Sequence, residues 1–287
     1  MTVGEAVTSA TRRLRAARLS YGHGTFNASE EAAWLVLHAC ALPAGTLGEN
    51  FNVPMTSAQT RRLEKLLEKR IEERIPTAYL THEAWLGEHS FYVDRRVIVP
   101  RSFVAELLPD AIGPFLRAPV RSALDVCTGS GCLAILLALS FRGAKIDAVD
   151  LSKGALAVAR RNVADYRLGR RVNLLRSNLF ASLARRRYDL IVSNPPYVNA
   201  ASMRRLPGEY LAEPRMALAG GEDGLLLVRG IISRAKRHLK PRGVLVCEIG
   251  RNREALERAF PRLPFTWLDT SAGDGLVCLL EREHLPD

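Results

Sequence analysis

No run of about 18 apolar residues occurs anywhere in the 287-residue chain, so no segment is expected to cross a bilayer. Cysteine is scarce and odd in number. The five residues, at 40, 127, 132, 247 and 278, match neither the spacing of a zinc site nor a disulfide framework. Most sit in apolar runs, as reduced core cysteines of a cytoplasmic protein do. No Ser-His-Asp arrangement and no cluster of metal ligands is apparent, and no internal repeat or low-complexity tract interrupts the chain. The opening MTVGEAVTSATRRLRAARLS is Arg-rich, but Glu5 and the helical spacing of its apolar residues favour an ordinary first helix over a transit peptide.

Acidic residues are also missing in places. Residues 1–103 hold 13 Lys/Arg against 11 Asp/Glu, whereas residues 104–287 hold 28 against 19. In 160–187 nine arginines face one acid, Asp165, and 229–242 has six Lys/Arg and no acid. Two readings fit: a solvated arginine-rich surface, or a face that contacts phosphates.

The first ~75 residues read as helices. Ser29, ahead of EEAAWLVLHACAL, reads as an N-cap with acids in the first turn. TSAQTRRLEKLLEKRIEERI is amphipathic and ends at Pro76. AWLGEHSFYVDRRVIVP reads as a hairpin. From about residue 104, short apolar strands alternate with helices: SALDV, AKIDAVD, VNLLRSNLF, YDLIVSNPPY and GVLVCEIG, followed by PFTWLDT and LVCLLERE. This rhythm predicts an α/β domain with a mostly parallel sheet and helices on both faces. Three parts follow: a helical N-terminal domain over 1–76, a hairpin linker over 77–103 and a larger α/β domain over 104–287.

Ligands of such sheets sit at the carboxyl ends of strands, and the unusual segments fall there. In LDVCTGSGC, Gly129 and Gly131 stand between a strand and a helix, where glycine permits a tight turn and close approach to a ligand. Such a turn serves NAD, FAD or S-adenosylmethionine; position 134 is Ala, outside the full dinucleotide spacing. Asp150 ends the second strand, where a carboxylate can accept both hydroxyls of a ribose or cap the next helix. Asn178 ends the third, as an acceptor for an adenine amine or a turn former. The fourth strand ends in Asn194-Pro195-Pro196-Tyr197. The Asn194 amide and the Pro195 carbonyl are two acceptors for a planar NH₂ group, and Pro196 and Tyr197 supply rigidity and a flat face. Orienting an amide-type lone pair in this way needs no side-chain nucleophile.

Together these residues resemble the class I, Rossmann-like, S-adenosylmethionine-dependent methyltransferases that act on amino groups conjugated to a π-system, in which N-P-P-Y marks the reaction centre. RIPTAYLTHEAWLGEHSFYVDRRVIVPRS resembles the linker of the protein-glutamine-N(5) methyltransferases, and the likeness runs over nearly the whole chain. CTGSGC, EYLAEPRMALAGGEDGL and PFTWLDTSAGDGLVCLL are similar to the branch that modifies large-subunit ribosomal protein three. The branch acting on the GGQ glutamine of release factors and the adenine-N(6) nucleic-acid methyltransferases are the alternatives. The resemblance implies S-adenosylmethionine as cofactor, with S-adenosylhomocysteine as product. Asp125, Thr128, Gly129 and Gly131 would lie at its amino-acid end, Asp150 at its ribose and Asn178 near its adenine. Asn194, also beside the cofactor, would bind the glutamine amide with Pro195, while Pro196 and Tyr197 shape the slot. The partner would be ribosomal protein three; on the phosphate-contacting reading of the charge, 160–187 and 229–242 would face ribosomal RNA of an assembling particle.

The family more often has Asp where this chain has Asn178, so a weaker grip on the cofactor is expected. Asn178→Asp should bind S-adenosylmethionine more tightly in a calorimetric titration; equal affinities would remove position 178 from the adenine site.

Overall fold

The three longest helices of the N-terminal part each start at a polar side chain that caps free N–H groups. In the computed structural model, which describes Met1–Asp287, α1 (Val3–Ala16) opens on a reciprocal capping box between Thr2 and Glu5. Asn27 caps α2 (Ala28–Cys40), its side chain accepting from the N–H groups of Ser29 and Glu30. Ser29 therefore lies inside the helix; the amide two residues earlier reaches two free N–H groups, and so it takes the cap. α4 (Ser57–Glu72) opens on a second box, Thr56 with Gln59. With the short α3 (Leu47–Asn50), these helices form a bundle around Val3, Ala10, Leu14, Leu35, Leu63 and Leu67, whereas α5 (Thr77–Thr81) buries Ala78 and Tyr79 in a separate cluster with Ala84, Val93 and Val97.

The hairpin follows as β1 (Glu83–Leu86) and β2 (His89–Tyr92). The larger domain contains β3 (Ser122–Val126), α6 (Cys132–Ser140), β4 (Lys145–Asp150), α7 (Lys153–Asp165), β5 (Val172–Arg176) and β6 (Tyr188–Ser193). After it come α8 (Ala200–Met203), α9 (Leu226–His238), β7 (Leu239–Glu248), α10 (Arg253–Ala259), β8 (Thr266–Thr270) and β9 (Gly273–Glu281).

Seven strands make one sheet in the order β5-β4-β3-β6-β7-β9-β8. The first five are parallel; β9 runs antiparallel to both neighbours. Both faces are covered, so strand side chains alternate between two cores rather than between core and water. Along β7, Val244 and Val246 face one core while Leu245 and Cys247 face the other. α6 is apolar all round and buried accordingly. No helix is long and apolar enough to cross a membrane, and all five cysteines are free.

After β3 the chain winds outward through β4 and β5, then returns to the other side of β3 with β6. A crevice opens where the winding reverses, at the carboxyl ends of β3, β4 and β6. The hairpin is fixed behind it by Asn162 of α7. This buried amide accepts from Tyr92 N–H (2.8 Å) and donates to the carbonyls of Tyr92 (3.0 Å) and Ser130 (2.8 Å).

Candidate active site

The turn after β3 is held in an uncommon backbone shape. Cys127, Gly129 and Gly131 all have positive φ, at 63°, 56° and 82°. Gly131 is required by packing as well: a Cβ there would stand 3.1 Å from Cβ of Ala159 in α7. At Gly129 a Cβ would meet nothing within 4 Å, because that position faces open space. Asp125 supports the turn from behind. It has no solvent exposure, and its Oδ2 accepts from the Thr128 hydroxyl and from Ala134 N–H (3.1 Å).

Asp150 closes the turn from the next strand. Oδ2 accepts from Gly129 N–H (2.9 Å) and Oδ1 from Ser152 N–H (2.8 Å). The helix cap is Ser152, whose hydroxyl accepts from Ala155 N–H, which leaves Asp150 free of that duty. Each Asp150 oxygen keeps capacity for a further donor. Burial raises its carboxyl above the ordinary range.

The crevice has a volume of about 530 Å³, and Gly129, Asp150, Asn178, Asn194 and Pro196 line it. Asn178 does so from an exposed turn, since β5 stops at Arg176. Five expected residues lie outside the lining: Asp125, Thr128, Gly131, Pro195 and Tyr197. Asp125, Thr128 and Gly131 shape the turn without bordering the space. Tyr197 is a strut: its hydroxyl donates to Glu248 Oε1 (2.9 Å), its carbonyl accepts from Asn252 Nδ2 (2.8 Å), and a Cβ at Gly250 would fall 2.6 Å from its ring. It therefore braces the loop that carries Asn194.

Glu248, fully buried at the end of β7, also accepts from the Ser102 hydroxyl (2.7 Å) and Phe103 N–H (2.9 Å). Burial still raises its carboxyl. The one trace of this role in the sequence is an acid inside the apolar run GVLVCEIG. Two further walls had no signal in periodicity: Arg96–Ile98 after the hairpin, and Pro214–Ala217 in the segment after N-P-P-Y. A shallower groove of about 590 Å³ adjoins the crevice and shares Arg215 and Ala219 with it.

Comparison with known proteins gives this geometry a lineage. The family model described as methyltransferase small domain matches residues 106–228, and that of the PrmC N-terminal domain matches 5–81. A ribosomal protein uL3 glutamine methyltransferase of Neisseria meningitidis serogroup A is 51% identical over 286 residues, which cover 99% of this chain and 94% of that protein. The protein of the same name from Bordetella pertussis is 52% identical, covering 99% and 96%. The chain belongs to the uL3 glutamine methyltransferase family. Among solved structures, the hMettl16 catalytic domain in complex with an MAT2A 3′UTR hairpin aligns with a TM-score of 0.53 at 14% identity, over 77% of this chain and 81% of that one. A methyltransferase from Pyrococcus furiosus aligns at 0.50 and 17%, over 78% and 98%. These last two likenesses bear on the fold, a Rossmann-like methyltransferase sheet. The chain is a methyltransferase, and S-adenosylmethionine is its cofactor. The open approach at Gly129 and the two available oxygens of Asp150 suit a ligand of that chemistry.

Burial pushes the Asp125 carboxyl up to about 7. Between about pH 4 and about pH 7 the native state then keeps a proton that the unfolded chain has released. This contribution to stability is complete below the unfolded pKa and is lost as pH rises through the folded one. Asp125→Asn abolishes the titration. In urea unfolding, the stability of wild type relative to Asp125→Asn should fall as pH is raised from about 4 to about 8; a constant difference would mean that Asp125 is ionised throughout.

Proposed function

We propose that the enzyme transfers the methyl group of S-adenosylmethionine to the side-chain amide nitrogen of a glutamine in ribosomal protein uL3. The observation that carries this reading is the shared crevice: the Asn194 amide, at the end of β6, opens on the same space as Gly129 and Asp150. The glycine turn would receive the amino-acid end of the cofactor, Asp150 its ribose and Asn178 its adenine. S-adenosylmethionine brings an electrophilic methyl carried on a sulfonium.

Asn194 Oδ1 and the Pro195 carbonyl would accept the two N–H groups of the glutamine amide. Holding both hydrogens fixes the plane of the amide, so that its lone pair can be aimed at the methyl carbon. The same acceptors favour the positive charge that develops on nitrogen as the N–C bond forms. Transfer would leave the electron pair of the broken C–S bond on sulfur, and one amide proton would pass to solvent. The groove beside Arg215 and Ala219 gives the flanking peptide a path to the crevice. A ribosomal substrate would be met in the cytoplasm.

The chain would meet uL3 in an assembling particle, with ribosomal RNA against its basic stretches. In those stretches Arg161, Arg186, Arg229, Lys236 and Lys240 pair with Asp165, Asp147, Asp223, Asp287 and Asp189. Arg171 and Arg176 donate to backbone carbonyls. Arg170, Arg185, Arg187 and Arg242 form no ion pair and are exposed. They stand beside the starts of β5, β6 and β7, at the amino edge of the sheet. RNA held there would lie across the sheet from the crevice.

Two experiments test these readings. Labelled S-adenosylmethionine is offered with uL3, release factor, early ribosomal particles and DNA in parallel. Label is expected on uL3 and should be abolished in Asn194→Ala; label on release factor or DNA instead would overturn the substrate. Binding to the particle should weaken with salt, and the log–log slope should become shallower by about 1 for each phosphate contact removed in an Arg185→Glu/Arg187→Glu/Arg242→Glu variant. Binding indifferent to salt would make the arginines a solvated surface.

A further inference from the structure

The segment that follows N-P-P-Y carries two carboxylates, Glu209 and Glu213, whose side chains have no solvent exposure. They lie four residues apart around the short turn Gly208–Ala212, and they reach in different directions. Glu209 Oε1 accepts from Ser20 N–H (3.0 Å) and from Arg74 Nη1 (2.9 Å), with Arg70 Nη1 at 3.5 Å. All three partners belong to the helical bundle. Arg70 is itself buried there, paired with Glu31 and donating to the Ser20 carbonyl (3.0 Å).

Glu213 reaches the linker instead. Its Oε1 accepts from Val99 N–H (2.9 Å) and Arg101 Nη1 (2.7 Å), and its Oε2 from Arg101 Nη2 (2.6 Å). His23 of the bundle stands 3.6 Å from Oε2. Burial alone would push the Glu213 carboxyl up; the His23 imidazole and the Arg101 fork hold it down at about 2. The group therefore stays ionised and keeps its partners at every working pH.

Position gives this pair its meaning. Pro214–Ala217, directly after Glu213, form one wall of the crevice, and Arg96–Ile98, directly before Val99, form another. Glu213 joins the two walls at their adjacent ends. Glu209 joins the same segment to the bundle. No secondary-structure ladder ties these three parts together.

We propose that Glu213 is a positioning residue that sets the spacing of the two crevice walls and so the affinity for the cofactor, while Glu209 fixes where the helical bundle stands relative to the reaction centre and so the affinity for the protein substrate. The inference rests on the crevice being the methyl-transfer site. It goes further in dividing two functions between two buried acids, and in making the bundle a structural part of the active site.

The test reads the two affinities separately. S-adenosylhomocysteine binding is measured by calorimetry, without methyl acceptor, and KM and kcat for uL3 at saturating S-adenosylmethionine. Glu213→Gln should weaken S-adenosylhomocysteine binding about tenfold, equivalent to about 1.4 kcal/mol. Arg101→Lys keeps the charge but loses the two-pronged contact, and should give a smaller loss in the same direction; it decides the matter if Glu213→Gln does not fold. Glu209→Gln should raise KM for uL3 and leave S-adenosylhomocysteine binding unchanged. A lower Tm with unchanged affinities in these variants would reduce both acids to packing and overturn the proposal. Wild type that binds no S-adenosylhomocysteine would overturn the crevice assignment itself, and this inference with it.

Discussion

A carboxylate taken out of water must be surrounded by donors or give up its charge. The loops at the carboxyl edge of this sheet depend on that requirement. They belong to no ladder, yet they must present a fixed wall to a ligand. Asp125 collects the glycine turn, Asp150 joins that turn to β4, and Glu248 gathers Tyr197, Ser102 and Phe103. Glu213 gathers Val99 and Arg101. The four differ in what surrounds them. Asp125 has one oxygen without a partner, and burial dominates its titration. Glu213 is also buried, but it has a guanidinium on both oxygens, and its donors together outweigh burial.

The two edges of the sheet are used differently. Strand starts are lined with arginine; strand ends carry acids, an amide and glycines. A parallel sheet makes this separation possible, because all five parallel strands begin at one edge and finish at the other. The net charge of +11 therefore need not oppose a basic protein substrate at the crevice. Much of the unpaired charge stands on the far side, beyond a Debye length of about 8 Å.

Parts of this arrangement were readable in the chain because they are local. A run such as YDLIV followed by Asn-Pro-Pro ends a buried strand whatever surrounds it, and the strand–glycine–helix order places Gly129 at a strand end. Asp150 and Asn194 fall at strand ends by the same rhythm, and Asn178 lies two residues beyond one. Side-chain direction beyond a strand end is not periodic, and no rhythm in the sequence announces it. Asp125 sits one pleat inside its strand and points behind the turn. Tyr197 turns to Glu248, which follows it by 51 residues. Glu209 and Glu213 meet partners more than a hundred residues earlier, and no spacing rule connects such positions. Ser29 lost its expected cap to Asn27 for the opposite reason, a local competition between two good caps settled by which one reaches the free N–H groups.

The buried acids of the segment after N-P-P-Y are poorly explained by stability. Replacing a buried ion pair with well-packed apolar groups is often neutral or stabilising, since desolvation offsets the Coulomb attraction. What an apolar contact lacks is direction: it tolerates sliding and rotation, whereas a carboxylate held by Val99 N–H and both prongs of Arg101 admits one placement. Methyl transfer to an amide makes that distinction matter. With no side-chain nucleophile to share the work, the rate depends on bringing nitrogen, carbon and sulfur into line, and small displacements of a wall are costly. Buried charge gathers where direction is needed, around the crevice and at Arg70 and Glu31 where the bundle meets Glu209, while Leu14, Leu35, Leu63 and Leu67 pack the bundle by hydrophobic contact.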